Sequence, residues 1–191
     1  MKAVLISIQP KWCELIASGK KTVEVRKTLP KLETPFKAYI YCTKKKKEDE
    51  YGRSLIFYKD VNGICEENGE IFSPLETGKV IGEFVCNRIS GGSGEYVIYH
   101  TEGTCLTPTE IADYIGDKYA YYWHISDLKI YDKPRELSEF KQVKKIRGYH
   151  KKDEPKTEGI NIQRLLHSNR AEVKYLTRPP QSWCYVESED A

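Results

Sequence analysis

The spacing of apolar positions changes at Gly19, and this change predicts a strand, a helix and a second strand. Residues 3–6 are a continuous apolar run, typical of a strand that is buried on both faces. Apolar residues over 10–17 repeat at helical spacing, and the proline that opens this segment suits a first helical turn, where no N–H is needed. Gly19 suits a left-handed helix end, and residues 22–26 then alternate with the period of a strand.

Later segments predict mostly strands. The alternating segments are residues 36–42, 79–89, 95–100, 119–131 and 182–187. A second helix is expected to begin at Thr107, because Thr107 and Glu110 can form a capping box, and to end near Gly116. A few short strands with peripheral helices favour an α+β fold, a small barrel of about five to seven strands with two or more helices around it.

The strand after Gly19 carries charge on one face, where Glu24 and Arg26 project together with Lys21 close by. Arg26 can bind a phosphate or carboxylate bidentately or stack on a base. Glu24 can accept from an amine or act as a general base, and Lys21 can hold a phosphate. The alternative is a structural ion pair between Glu24 and Arg26 on a solvated strand face.

The same residues resemble the G-x-K-x-x-E-x-R signature of ASCH domains, through Gly19, Lys21, Glu24 and Arg26. Further resemblance to phage and bacterial ASCH proteins lies in residues 78–84, 123–128 and 179–186. The resemblance implies a PUA-like β-barrel around a cavity that is linked to binding of RNA or a modified nucleoside. It also implies a single domain over residues 1–191, and we expect loop insertions at 44–78 and 141–178.

The resemblance implies an enzymatic alternative as well. Some small ASCH proteins are thought to deacetylate N4-acetylcytidine with a lysine, a threonine three residues later and a distant glutamate. Lys21 matches the lysine, Glu24 stands where the threonine would be, and Glu83 is a candidate for the distant glutamate. We therefore expect an RNA- or nucleotide-binding domain whose polar cleft is lined by Lys21, Glu24 and Arg26. A hydrolase acting on a modified pyrimidine or on RNA, with Lys21 and Glu24 as catalytic residues, and a protein-interaction module stay open as alternatives.

Two further side chains are candidate ligand contacts. Trp12 joins the signature through the corner between the first strand and the first helix. In the segment 121–127, Tyr122 or Trp123 can stack on a base while His124 donates a hydrogen bond, because recognition of an unpaired base needs an aromatic face and an edge contact. Alternatively, Trp123 belongs to the core.

Basic residues are concentrated near the C-terminus. Residues 141–178 contain eleven Lys and Arg and four Asp and Glu, a charge of +7, whereas the whole chain carries +3. Such asymmetry favours a polyanionic partner, with Lys144, Lys145 and Arg147 as its first contacts, although a solvated loop explains it equally well.

Composition sets the remaining expectations. A chain of 191 residues with 39% hydrophobic and 31% charged residues is typical of a soluble domain. We expect a cytoplasmic protein, because no apolar run reaches the length of a membrane span and no export signal precedes the first strand. The six cysteines are far apart and predict reduced core thiols. We expect no metal, no cofactor and no membrane partner.

Overall fold

The computed structural model describes residues 2–44, 55–57, 70–72, 75–145 and 171–188. Its elements confirm an α+β fold. In chain order they are β1 (Lys2–Ile8), α1 (Pro10–Ala17), β2 (Val23–Arg26), β3 (Phe36–Cys42), β4 (Leu55–Phe57), β5 (Glu70–Phe72), β6 (Val80–Gly92), α2 (Glu95–Tyr99), α3 (Pro108–Ile115), β7 (Ala120–Arg135), a 3₁₀ turn (Leu137–Glu139), β8 (Lys141–Lys145), β9 (Ala171–Tyr175) and β10 (Trp183–Glu187).

Among the described residues, eight strands form one mixed sheet in the order β2-β7-β6-β3-β1-β10-β8-β9. In this sheet β1 and β3 pair in parallel, and the other neighbours are antiparallel. The sheet ends at β2 and β9, so the predicted closed barrel of five to seven strands is not formed. Strands β4 and β5 pair with each other in a separate two-stranded sheet, inside the first predicted insertion. The second predicted insertion instead begins with β8 and includes β9.

The sheet curls strongly, and this curl decides which side chains are buried. Strands β6 and β7 are long, and the register between them shifts at three places. Such irregularities bend a pair of strands. As a result the edge strand β2 reaches β1, although three strands lie between them in the sheet. The side chain of Arg26 donates to the carbonyl oxygen of Ser7 on β1 at 2.7 Å, which joins the two ends of the curl.

The apolar core of the described residues lies on both faces of the sheet. Inside the curl, one cluster combines β1, α1, β3, β6 and the fully buried Trp123. On the other face, one cluster surrounds Tyr39 and Phe140, and another places Val23, Val25 and Tyr122 against α2 and α3. Neighbouring residues of β2 and β7 therefore face different clusters.

The helix predictions are confirmed except at α2. Helix α1 begins at Pro10, Gly19 adopts φ +74°, and Thr107 and Glu110 form the predicted capping box of α3. Residues 95–99, for which the alternation predicted a strand, form helix α2 instead. A helix of five residues has too few turns to show a 3.6-residue period, so the sequence pattern is uninformative there.

The described cysteines are free thiols. Burial raises the pKa of Cys13 well above its usual value and that of Cys86 to about 12, so both thiols are neutral near pH 7. None of the described helices combines the length and apolarity that a membrane span requires.

Candidate functional site

Lys21, Glu24 and Arg26 meet inside the curl of the sheet and form what we call the polar network. Lys21 Nζ lies 3.4 Å from Glu24 Oε2, and Arg26 Nη2 lies 3.0 Å from Glu24 Oε1. Lys21 is 2% exposed, and Glu24 and Arg26 are each 6% exposed. The sequence-based alternative is therefore confirmed in its ion pair between Glu24 and Arg26 and wrong in its solvated strand face, because all three side chains are buried more deeply than a ligand-binding rim would be.

Local sequence explains how the network is assembled. The left-handed Gly19 ends α1 and turns the chain, and the backbone N–H of Lys21 then donates to the carbonyl oxygen of Leu15 at 2.8 Å. Strand β2 pairs with β7 so that Glu24 lies opposite Trp123. Because paired residues project to the same face, Glu24 points into the curl beside Trp123, and Arg26 follows two residues later.

A turn before α3 supplies a further partner for the side chain of Lys21, in addition to Glu24. Lys21 Nζ donates to the carbonyl oxygen of Thr104 at 2.6 Å. Gly103 allows the turn to come this close, since its φ is +72° and a Cβ there would lie 2.3 Å from Thr22 Oγ1. Its carbonyl oxygen accepts from the backbone N–H groups of Thr22 and Val23 at 2.8 and 2.9 Å. This turn therefore fixes the position of the lysine.

Two buried donors on this side of the sheet have no acceptor among the described protein atoms. They are Arg26 Nε and Trp123 Nε1, and Trp123 is fully buried. The rest of the guanidinium is engaged, by Ser7, by Glu24 and by Ser182 Oγ at 3.4 Å. Buried polar groups in folded proteins almost always have partners, so two such donors indicate a place for an acceptor oxygen.

Aromatic side chains surround the network. The ring centroid of Trp12 lies 5.2 Å from Lys21 Nζ and 4.0 Å from Lys11 Nζ. Trp183 packs on Trp123 with centroids 6.2 Å apart. On α3, burial raises the pKa of Tyr114, while the charge of Arg26 and a hydrogen bond to it oppose part of that rise. Tyr114 is 41% exposed, so it stands between the network and solvent.

The structure places His124 on the other face of the sheet. It lies opposite Val23 on β2 and opposite Arg88 on β6. Two adjacent cavities of about 440 and 410 Å³ share Thr22, Arg88 and His124, and we call them together the His124 groove. Burial and the charge of Arg88 lower the pKa of His124. His124 and the polar network therefore do not contact the same ligand-sized space.

The other predicted contacts fall elsewhere. Lys144 and Lys145 are the last residues of β8, in register with Glu172 and Ala171 of β9, whereas Arg147 lies outside the described residues. Glu83 accepts from Tyr131 at 2.6 Å and pairs with Lys37 at 3.2 Å. Since Glu83 is opposite Tyr39 and shares that face, it does not join Lys21 and Glu24.

The chemistry available to the network is recognition of an oxygen-rich ligand. Its two cations are already paired with Glu24, so the donors left for a phosphate or carbonyl oxygen are Arg26 Nε in the network and Trp123 Nε1 beside it. The adjacent indole rings suit a base. Sequence reasoning missed Thr104, Ser182, Arg88 and the α2 aromatic residues, because they come next to these sites only through long-range packing. No group of three His, Cys, Asp or Glu side chains in the described part of the chain could hold a metal ion.

Comparisons with known proteins show one family and one shared fold. A model of the ASCH domain family matches residues 6–167. The crystal structure of ASCH from Zymomonas mobilis has a TM-score of 0.55 and 19% sequence identity, covering 98% of this chain and 90% of that chain. The crystal structure of a serine-to-alanine mutant of the same protein has a TM-score of 0.55 and 18% sequence identity, and it also covers 98% of this chain and 90% of that chain. At these identities the likeness shows a shared fold. A search of curated protein sequences finds no match.

Proposed function

The chain belongs to the ASCH domain family, and from this premise we propose that it binds RNA or a nucleotide-like ligand through the polar network. The observation that carries the proposal is the pair of buried donors without acceptors, Arg26 Nε and Trp123 Nε1. In this proposal a phosphate or base carbonyl oxygen supplies the acceptor that each of these donors lacks. Trp12 lies beside Lys21 at the corner of β1 and α1, where a base can stack on its ring.

Access to the network passes Tyr114. The charge of Arg26 acts on the pKa of its hydroxyl, and its partly exposed ring lies under Lys27 Nζ, 4.8 Å from the ring centroid. In this proposal a rotation of the Tyr114 side chain opens the path from solvent to Arg26. Ligand binding therefore involves displacement of Tyr114, and the phosphates that follow the bound nucleotide extend over the surface.

In this proposal Lys144 and Lys145 of β8, with the basic residues that follow them in the sequence, contact the phosphates of the strand. This part of the binding does not depend on the base sequence of the RNA. Neutralising Lys144 and Lys145 together to glutamine should weaken binding of fluorescein-labelled oligouridine and lower the slope of log K against log salt by about 1.4, since each phosphate contact on a single strand releases about 0.7 counterions. Fluorescence anisotropy from low to high salt measures both quantities. Lys133→Gln, a matched change at an exposed position of β7, should leave the slope unchanged. Absence of oligouridine binding at low salt would contradict the proposal.

The buried pairing of Glu24 favours binding over hydrolysis. Both of its carboxylate oxygens are engaged by cations, Lys21 on one and Arg26 on the other. Neither oxygen is free to take a proton from an attacking water, and no hydroxyl nucleophile occupies that position in β2. We expect no release of cytidine when the purified chain is incubated with N4-acetylcytidine and the products are separated by chromatography. Efficient release would show that this site is catalytic.

A further inference from the structure

The His124 groove lies across the sheet from the polar network and has features of a binding site in its own right. Its two cavities, of about 440 and 410 Å³, are wide open to solvent, so a ligand in either of them stays partly exposed. They meet at Thr22, Arg88 and His124, which line both. The positively charged side chain of Arg88 therefore lies where the two cavities meet.

One hydrogen bond, to His124, holds the side chain of Arg88 at this junction. Arg88 Nη2 lies 3.3 Å from His124 Nδ1, and His124 Nε2 lies 3.0 Å from Ser90 Oγ. Since a guanidinium only donates, Nδ1 must accept, and the imidazole proton is on Nε2, which donates to Ser90. His124 is thus a neutral ring that orients Arg88. The lowered pKa of His124, caused by burial and by Arg88, agrees with this tautomer.

The positive charge of Arg88 is not neutralised locally. No carboxylate lies within ion-pair distance of it among the described residues, whereas the buried Arg26 has Glu24 at 3.0 Å. An exposed guanidinium with one hydrogen bond to His124 and no acidic partner among the described residues is suited to a phosphate, which it binds through two parallel N–H groups.

Aromatic residues form the wall of the larger cavity. Tyr96 and His100 stack on each other with centroids 3.7 Å apart and planes 2° apart, and Tyr99 is 77% exposed beside them. Tyr122 lines the same cavity and is 2% exposed, yet its hydroxyl has no partner among the described protein atoms. The oxygen has almost no accessible surface, so a polar ligand completes this contact only if the neighbouring wall of the cavity shifts.

We propose that the His124 groove binds a dinucleotide unit of a single strand. The phosphodiester lies on Arg88, one base lies in the aromatic cavity with an edge on the Tyr122 hydroxyl, and the next nucleoside occupies the smaller cavity beside Asn87 and Ile125. Glu102 in the aromatic cavity can accept from an amine or a ribose hydroxyl. This inference does not rest on the polar network, which lies on the opposite face of the sheet.

Isothermal titration with the dinucleoside monophosphate ApA tests the proposal, with 5′-AMP and inorganic phosphate as comparison ligands. Arg88→Gln should weaken ApA binding about tenfold, the range for loss of a charged hydrogen bond. Tyr122→Phe should weaken it several-fold while leaving the melting temperature unchanged or higher, because it removes an unsatisfied buried group. If Tyr122 had only a structural role, Tyr122→Phe would not lower the affinity for ApA while leaving the melting temperature unchanged or higher. Lys133→Gln removes one exposed charge of β7 and should bind ApA as the wild type does.

The outcomes distinguish this site from the polar network. The proposal expects Arg88→Gln to weaken ApA binding more than Arg26→Lys does, because the groove and not the polar network holds the phosphodiester of this ligand. It is overturned if ApA does not bind the wild-type chain, if Arg88→Gln and Tyr122→Phe both bind normally, or if inorganic phosphate binds as tightly as ApA. Loss of ApA binding in Arg26→Lys but not in Arg88→Gln would also overturn it, and would assign the ligand to the polar network.

Discussion

Replacing Glu24 by glutamine is expected to lower the free energy of unfolding by about 3 kcal/mol, the effect of breaking a buried ion pair from one side. The side chain of Glu24 is 8% exposed and is the carboxylate shared by Lys21 and Arg26. Without its charge, two buried cations face one neutral amide, and the amide nitrogen opposes one of them. Urea denaturation followed by circular dichroism measures the change.

Glu83→Gln is the matched control for this prediction. Glu83 also accepts from two side chains, Lys37 and Tyr131, but its side chain is 20% exposed and water can reach its partners. We expect a loss of about 1 kcal/mol there, because solvent screens the pair. Equal losses in Glu24→Gln and Glu83→Gln would contradict the description of the network as a buried charge cluster.

Replacing Arg26 by lysine is expected to weaken oligouridine binding about tenfold at constant salt, the range for a lost charged hydrogen bond. Lysine keeps the charge and can still pair with Glu24, but it has neither the planar donors that reach Ser7 and Ser182 nor the unpartnered Nε. Because the charge is retained, the salt slope should stay at its wild-type value. Fluorescence anisotropy with the same labelled strand gives both numbers.

Arg178→Lys provides the comparison for Arg26→Lys, since it is the same change at an exposed position of the basic segment. It should bind oligouridine like the wild type. Melting curves of both variants must first show that each is folded at the assay temperature. Wild-type affinity in a folded Arg26→Lys protein would remove the polar network from the binding site.

Local structure around the network is predictable because the residues that determine it are adjacent in sequence. Pro10, Gly19 and the alternation of residues 22–26 predict α1, its left-handed end and the shared face of Glu24 and Arg26 correctly. The alternation, however, predicts only that the two faces of β2 differ, and it does not predict which face is buried. Arg26 is buried through contacts with Ser7 and Ser182, 19 and 156 residues away, and no local pattern encodes them.

The same reasoning explains the incorrect predictions. The predicted strand count is too low because β8, which reads Lys-Gln-Val-Lys-Lys, has little apolar alternation and owes its place to pairing with β9 and β10. In segment 121–127 the sequence leaves open whether Tyr122 or Trp123 could stack on a base beside His124, and the alternative that Trp123 belongs to the core is confirmed, whereas Tyr122 and His124 face the groove. Strict period-two alternation along the strand accounts for this separation.

A nitrogen–proton correlation spectrum of the labelled chain, recorded during titration with oligouridine, tests the central claim most directly. The indole N–H of Trp123 and the Nε–H of Arg26 lack acceptors among the described protein atoms, whereas the indole N–H of Trp183 already donates to Thr28 Oγ1 at 3.0 Å and serves as an internal reference. The proposal predicts that the Trp123 and Arg26 signals shift to saturation with the dissociation constant from anisotropy, and that Trp183 shifts less. Saturation of binding with both signals unmoved would contradict it.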